Sequence, residues 1–306
     1  MGKIKNKNTP PVNREALQEK CRPRIKSEID TTAKTLLNKI QNITNTKWQP
    51  IVGLILGTSG PNEFLKSKDY KTIAEFKYSD FGFNLPSANG HKGVIVAGEY
   101  KGIPHIAFFG RSHFFENNDQ WKTVLPARVL IYMGIKTFII TNASGLLTPH
   151  IKPGDIALIK DHINEIPGPL LAYYDDMHKN FTQYTDMSDA YSSQLRRKIK
   201  KLYPLMPEVI YTAVTGPQFE TRAEVIKHER NGGEVIGMST TPEVCALKQY
   251  GARVVAFTCP TNYCTGVITK NKVTHEENLS IVEAVNKKFS EIILSTIEII
   301  APKKKI

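Results

Sequence analysis

The feature that most constrains this 306-residue chain is the alternation of short β-branched runs with helical patterns. Runs rich in Val, Ile and aromatic residues predict seven strands, at 51–56, 93–100, 106–110, 137–141, 155–160, 209–214 and 253–258. Apolar residues spaced three and four apart predict helices at about 24–44, 120–134, 221–231, 241–250 and 274–299. Strands interleaved with helices favour an α/β fold with a mixed, largely parallel central sheet flanked by helices.

No internal repeat or linker interrupts this pattern, so we expect a single domain over residues 13–301. Residues 1–12 are polar and basic and are predicted to be disordered, and residues 302–306 form a second basic tail. The stretch 161–186 shows no clear periodicity. Loops of that length inside compact domains are often functional.

The charge and the cysteines limit the function classes. The formal net charge is +12, but six of the lysines lie in the two tails, at positions 3, 5, 7 and 303–305. A nucleic-acid-binding protein would need its basic residues on one face, interleaved with aromatic residues, so this alternative is disfavoured. The four cysteines are scattered and lack zinc-site spacing, which predicts a reduced protein without a metal.

The chain opens on MGKIKNKN, which contains no apolar segment of the kind found in secretory signals. No run approaches about 18 consecutive apolar residues, the length that would suggest a membrane span. We therefore expect a cytoplasmic protein that does not contact a membrane.

Polar residues follow several predicted strands, where ligands bind in open α/β sheets. The loop GTSG after the first strand offers backbone N–H groups and the Thr58 hydroxyl to an anion. In GRSHFFE, Arg111 and His113 lie two residues apart and suit a phosphate, although for this segment in isolation a solvated strand end with a structural salt bridge to Glu116 is the favoured explanation. In MSTTPE, Ser239 or Thr240 is expected to cap the following helix, whose amino end then faces an anion.

The segment TGPQFET places a flat apolar ring beside a carboxylate, because Phe219 and Glu220 follow the turn-forming pair Gly216-Pro217. Past the last strand, the segment TNYCTG carries Thr261 and Asn262, and His275 opens the final helix. Taken singly, each of these features has an ordinary structural explanation. Their repetition at the strand ends of one sheet is better explained by a binding site.

These segments also occur together in a known family. The series GTSG, NGHKG, GRSHFFE, TNASG, GDIALIKDHIN, MSDAY, TGPQFET, GMSTTPE and TNYCTG…THEE follows the order and approximate spacing of the trimeric purine nucleoside phosphorylases. The chain resembles that family over roughly residues 50–300. An ordered series of this kind is far more specific than any single motif.

The resemblance implies phosphorolysis of 6-oxopurine (deoxy)ribonucleosides, such as inosine and guanosine, in purine salvage. Orthophosphate would be the co-substrate, without a metal or other cofactor, in a homotrimer that binds no nucleic acid. Asn262, Glu220 and His91 would be the catalytic residues. Phosphate would contact Thr58, His91, Arg111, His113, the backbone N–H of Ala143, and Ser239. Purine and ribose would contact Phe219, Glu220, Met238, Asn262, Phe115, His275, Thr261 and, from the neighbouring subunit, Phe181.

The chain differs from the family pattern at three places. Phe115 stands where Tyr is usual in the vertebrate-like branch, Ser59 makes the first loop less glycine-rich, and Leu146 replaces a common glycine. A methylthioadenosine-type or xanthosine-preferring phosphorylase, a nucleoside hydrolase and an inactive relative therefore stay open as alternatives. The methylthioadenosine phosphorylases lack the glutamate of PQFET and carry Asp where Asn262 stands, which favours the 6-oxopurine interpretation.

Overall fold

The computed structural model describes residues 14–57, 62–86, 92–167, 184–268 and 275–301, with the exception of the side chains of residues 14–26, 117 and 275–278. Within these ranges the helices are α1 (Arg14–Thr44), α2 (Phe114–Asn117), α3 (Gln120–Tyr132), α4 (Ser193–Leu202), α5 (Arg222–Arg230), α6 (Thr241–Lys248) and α7 (His275–Ile300). The strands are β1 (Val52–Leu56), β2 (Tyr70–Lys77), β3 (Val94–Tyr100), β4 (Ile103–Phe109), β5 (Thr137–Leu146), β6 (Ala157–Asn164), β7 (Glu208–Ala213), β8 (Val235–Gly237) and β9 (Arg253–Tyr263).

The strands form one mixed sheet in the order β2-β3-β4-β1-β5-β8-β7-β6-β9, and β9 pairs in addition with β5. The second half of the sheet therefore closes on itself as a ring of five strands. Five of the pairings are parallel: β1–β4, β1–β5, β5–β9, β6–β7 and β7–β8. The others, β2–β3, β3–β4, β5–β8 and β6–β9, are antiparallel. The predicted mixed α/β fold is confirmed, with only a small excess of parallel pairing.

Apolar side chains cover both faces of the sheet, as expected for strands sandwiched between helices. In β1, Val52, Leu54 and Leu56 pack into one apolar cluster and Ile55 into the other. The Ile55 side includes residues of α1, α3 and α6, and the opposite side includes residues of α4 and α7. The helices therefore form two layers, which leave the ends of the strands as the place where polar groups can gather.

Two strands and two helices were not predicted, and one of these helices, α2, has only four residues. β2, with the sequence YKTIAEFK, pairs only with β3 and carries polar residues, as edge strands often do. β8 has three residues, too few to show any periodicity. α4 is basic and buries only Leu195 and Ile199, so its apolar face is narrow. The predicted helices are all present, and α1 begins at Arg14, well before its predicted start.

Across the part of the chain that the structure describes, no helix is both long enough and apolar enough to span a bilayer.

Candidate active site

The first side of the site lies where β1 and β4 end beside a longer neighbour. Ile55 of β1 pairs with Ile140 of β5, but β5 continues to Leu146. The backbone N–H of Gly57 donates to Thr141 Oγ1 at 3.1 Å, so the loop after β1 begins against the middle of β5. A Cβ atom at position 57 would lie 2.7 Å from the Thr141 carbonyl oxygen, and only glycine permits this approach.

Arg111, which follows β4, is buried at this junction with 2% of its surface exposed. Its Nη1 donates to Ser239 Oγ at 2.9 Å, and its Nη2 donates to the carbonyl oxygens of Ile55 at 3.1 Å and Thr141 at 2.7 Å. These bonds bring together Arg111 and Ser239, which the sequence analysis assigned to the same phosphate site from positions 128 residues apart.

Glu243 of α6 balances the charge of Arg111. Its Oε1 lies 3.1 Å from Arg111 Nε, and the two side chains are 2% and 3% exposed. Within the described residues, neither carboxylate oxygen of Glu243 accepts a hydrogen bond of good geometry, so the attraction is mainly Coulombic. The guanidinium is thus held from β1, β5 and α6 at once. The sequence analysis did not identify Glu243, because nothing in a helical position reveals a partner on another element.

Thr240 has a positive φ of 69° with ψ at −55°, which is unusual for a β-branched residue. It occupies the N-cap position of α6, but its side chain caps no backbone N–H of that helix. Instead its Oγ1 accepts hydrogen bonds from Asn142 Nδ2 at 2.8 Å and Arg111 Nη1 at 3.3 Å. The prediction that Ser239 or Thr240 caps α6 is therefore wrong, because both hydroxyls are drawn toward Arg111.

His113 is 9% exposed and stands at the N-cap of α2. Its Nδ1 lies 2.8 Å from Glu116 Oε1, which also accepts a hydrogen bond from the His113 backbone N–H. The ring stacks on Phe115 with centroids 5.1 Å apart and planes 13° from parallel. The structural pair with Glu116 that the sequence analysis weighed is therefore present. It holds the imidazole of His113, two residues after Arg111, in one orientation.

The second side of the site contains Glu220 and Asn262. Cys264 Sγ lies 3.9 Å from Glu220 Oε2. A Cβ atom placed on Gly145 of β5 would be 2.6 Å from Cys264 Sγ and 3.5 Å from Asn262 Nδ2. Gly145 therefore lies against Cys264 and Asn262, and the contact of Cys264 with Glu220 places the carboxylate and the amide in one region of the molecule. The tight approach also explains why a glycine is needed near the end of this strand.

The environment of each group shapes its chemistry. Burial raises the pKa of Glu220, and its own backbone N–H and the Cys264 thiol oppose this rise. The Asn262 amide donates through Nδ2 to the Tyr263 carbonyl oxygen at 3.2 Å and accepts at Oδ1 from the Thr261 hydroxyl at 3.2 Å. Thr261 also donates to the Ser144 carbonyl oxygen, which ties this segment to β5.

The loop that carries Phe219 and Glu220 joins the two sides. Gly216, with φ at 76°, precedes a cis peptide bond to Pro217, and a Cβ atom on it would lie 2.3 Å from Met238 Sδ. Met238 is the direct neighbour of Ser239, whose backbone N–H donates to the Tyr211 hydroxyl at 3.2 Å. Phe219 is 42% exposed, so this loop presents an apolar aromatic side chain to solvent directly beside Glu220.

The strands that supply these residues do not all run the same way. β6, β7 and β8 run opposite to β5 and β9. Because β8 pairs antiparallel with the end of β5, the chain after β8 returns along β5 and places Thr240 beside Asn142. The sequence analysis assumed that every site segment follows the carboxyl end of a strand in one open sheet. The closed ring of strands brings them together instead.

Four predicted site residues cannot be placed. Thr58, His91 and Phe181 lie outside the described residues, and the side chain of His275 at the start of α7 also lies outside them. Ala143 lies in β5, opposite Cys259 of β9, and is partly exposed. Its backbone is therefore within the junction formed by Thr141 and Asn142.

The sequence analysis did not identify Glu243, Tyr211 and Cys264, and it assigned a different role to Thr240. Cys264 could have been suspected, because it follows Asn262 by two residues in the segment TNYCTG. Among the described residues, no three His, Cys, Asp or Glu side chains cluster in a way that could hold a metal ion.

Comparison with known proteins extends these observations. The family model described as the Phosphorylase superfamily matches residues 51–298. Purine nucleoside phosphorylase 1 of Geobacillus stearothermophilus is 34% identical over 246 residues, which cover 78% of this chain and 88% of that protein. Purine nucleoside phosphorylase of Bos taurus is 33% identical over 276 residues, which cover 86% of this chain and 91% of that protein. The chain therefore belongs to the phosphorylase superfamily and, within it, to the purine nucleoside phosphorylases, a family of glycosyltransferase enzymes.

Proposed function

We propose that this enzyme catalyses the phosphorolysis of 6-oxopurine (deoxy)ribonucleosides, with inosine and guanosine as substrates. Orthophosphate attacks the anomeric carbon, the bond from that carbon to the purine nitrogen breaks, and the products are the free base and (deoxy)ribose 1-phosphate. The observation that carries the proposal is that Gly145 lies against Asn262 and Cys264, and that Cys264 in turn contacts Glu220. Met238, which lies against Gly216 in the loop of Glu220, directly precedes Ser239, the partner of Arg111.

The first side of the site suits an anion. A phosphate that loses its water needs charge-assisted donors in return, and the amino end of a helix supplies further positive potential. Arg111 is held rigidly behind the Ser239 hydroxyl, and α6 begins directly after this pair. Thr58, His91, His113 and the backbone N–H of Ala143 complete the phosphate site in this proposal.

The second side distinguishes purines by their hydrogen-bonding edges. An ionised Glu220 accepts hydrogen bonds from the N1–H of hypoxanthine and from the N1–H and 2-amino group of guanine. Adenine has no N1–H, so it would leave a partly buried carboxylate without a partner. Polar sites of this kind discriminate by about 10⁴.

Asn262 contributes to the departure of the base. The ribose becomes oxocarbenium-like in the transition state and the purine gains electron density. Hydrogen bonds from the amide to N7 and the 6-oxo group therefore become stronger as the charge develops. Phe219 packs on the purine face, while Met238, Phe115, Thr261 and His275 contact the nucleoside.

A homotrimer in the cytoplasm that serves purine salvage is also part of the proposal. Each site would then receive an aromatic residue, Phe181, from the neighbouring subunit. The free thiols of Cys245, Cys259 and Cys264 suit a reducing compartment. Cell fractionation checks the location, and recovery of the activity in a membrane pellet would oppose it.

The decisive experiment incubates the protein with inosine, with and without phosphate, and measures hypoxanthine. We expect release only when phosphate is present. Release of equal size without phosphate would indicate a hydrolase and contradict the proposal. The Glu220→Ala variant should lose most of the turnover while its melting curve still shows a cooperative transition.

A further inference from the structure

We propose that Cys264 is a positioning residue for base recognition: its S–H group donates to Glu220 Oε2 and orients the carboxylate toward the purine edge. The inference rests on the proposed function, because it concerns how the same carboxylate selects 6-oxopurines. It assigns a role to a residue that lies beside the site but has no place in the mechanism described above.

The position of Cys264 is fixed by its backbone. Its N–H donates to the Leu146 carbonyl oxygen at 2.9 Å, and its own carbonyl oxygen accepts from the Val267 N–H at 3.1 Å. The side chain is therefore anchored to the end of β5 on one side and to a tight turn on the other. From this anchored position Sγ lies 3.9 Å from Glu220 Oε2, within the range of a weak sulfur hydrogen bond.

The surroundings of the thiol make the carboxylate its natural polar partner. Cys264 is 4% exposed and belongs to a small apolar cluster with Leu147, Val225 and Ile236. Gly145 closes the remaining space, because a Cβ atom there would lie 2.6 Å from the sulfur. A simple space-filling role is the competing explanation, since buried cysteine also behaves as a small apolar side chain.

The protonation states agree with donation from sulfur to oxygen. Burial and the neighbouring Glu220 charge raise the pKa of the Cys264 thiol far above its usual range, so the thiol keeps its proton at neutral pH. The contact in turn lowers the pKa of Glu220, against the effect of burial. Glu224 at the start of α5 raises that pKa, and the Cδ, Nε and Cζ atoms of Arg222 lie beside Gly266.

Two substitutions of nearly equal volume separate donation from packing. Cys264→Ala removes the donor, whereas Cys264→Ser keeps one as a hydroxyl. We expect kcat/KM for inosine in the alanine variant to fall by about two- to fivefold, the effect of losing one weak hydrogen bond. The low-pH fall in its profile of kcat/KM against pH, called the acid limb below, should move to higher pH. The ratio of its kcat/KM for inosine to that for adenosine should decrease. The serine variant should recover all three properties.

Cys259→Ala serves as the thiol control, because Cys259 lies in the apolar cluster beside α7 and should leave the acid limb unchanged. Equal behaviour of the alanine and serine variants, with an unmoved acid limb, would overturn the inference and establish packing as the role of Cys264. Absence of phosphate-dependent hypoxanthine release by the unsubstituted enzyme would instead refute the proposed function. The two failures are therefore distinguishable.

Discussion

At the scale of single residues, the site depends on small groups that approach one another closely. Gly57 and Gly145 each stand where a Cβ atom would meet a neighbour at under 3 Å. Both lie on or against β5, and both leave room for functional groups from other strands. A larger residue at position 145 would displace Cys264, which contacts Glu220, and would crowd the amide of Asn262.

Asn262 is expected to govern the choice between 6-oxo and 6-amino purines. The Asn262→Asp variant keeps the size of the side chain but replaces the amide donor at Nδ2 with an oxygen that accepts from a 6-amino group. Its ratio of kcat/KM for adenosine to that for inosine should rise by about tenfold or more. Steady-state kinetics on both nucleosides measure this ratio, and an unchanged ratio would argue against the assignment.

The ionised Glu220 carboxylate is expected to lower the stability of the folded protein while it contributes to purine binding. Burial raises its pKa in the folded state above the ordinary 4.5, so the folded protein binds this proton more tightly than the unfolded chain does. The ionised carboxylate therefore lowers stability above the raised pKa, and this penalty disappears as the pH falls below 4.5. Glu220→Gln should raise the Tm at pH 7 to 8, with no gain at low pH, while inosine turnover falls.

Melting curves at two pH values and inosine kinetics test both halves of this expectation. A Glu220→Gln variant with a lower Tm at neutral pH would mean that the carboxylate stabilises the fold. An unchanged acid limb in its pH profile would mean that Glu220 is not the group whose protonation limits activity.

At the scale of secondary structure elements, a buried charge pair connects the end of β4 to α6. Arg111 also bonds to carbonyl oxygens of β1 and β5, so one side chain ties four elements together. Removing one member of a buried ion pair leaves an uncompensated charge, which is generally more harmful than replacing both. In the proposed site, the side assigned to phosphate would therefore depend on an electrostatic balance between two elements.

A double-mutant cycle tests this balance. Arg111→Met and Glu243→Met should each lower the free energy of unfolding by about 3–5 kcal/mol, because each leaves one charge buried and unpaired. The double variant should lose clearly less than the sum of the two. Urea unfolding measures these energies, and additive losses would show that the pair does not act as a unit.

At the scale of the whole molecule, the closed ring of β5, β8, β7, β6 and β9 determines where the site forms. β7 and β8 are antiparallel to β5. The segments that follow these two strands therefore lead back toward the middle of β5 and lie beside it. Phe219 stays 42% exposed beside Glu220. An exposed aromatic side chain of this kind suits the proposed trimer, in which a neighbouring subunit would complete the site.

The homotrimer is testable by mass. In this proposal each site includes Phe181 of the neighbouring subunit. Analytical ultracentrifugation should therefore give a particle of about three times the 34.4 kDa chain mass. Phe181→Ala should raise the KM for inosine more than it lowers kcat. A monomer with full activity would refute the trimer and remove the reason for assigning Phe181 to the site.

Sequence periodicity predicted most strands and all the long helices, because burial on one or two faces imposes a local repeat. β8 escaped prediction since three residues carry no repeat, and β2 since an edge strand keeps polar residues. Ordered motifs pointed to Arg111, Ser239, Glu220 and Asn262 as candidate site residues. Glu243, Tyr211 and the altered role of Thr240 could not, because their importance lies in a distant partner.

By itself, the sequence determined the α/β class, the resemblance to the purine nucleoside phosphorylases and the residue types available for phosphate and purine. These follow from local periodicity and from motif order, which are properties of the chain alone. Only the tertiary structure decided that the strands close into a ring, that Glu243 balances Arg111 and that Cys264 lies against Glu220. Such contacts join residues far apart in sequence, and their geometry exists only after the strands have paired.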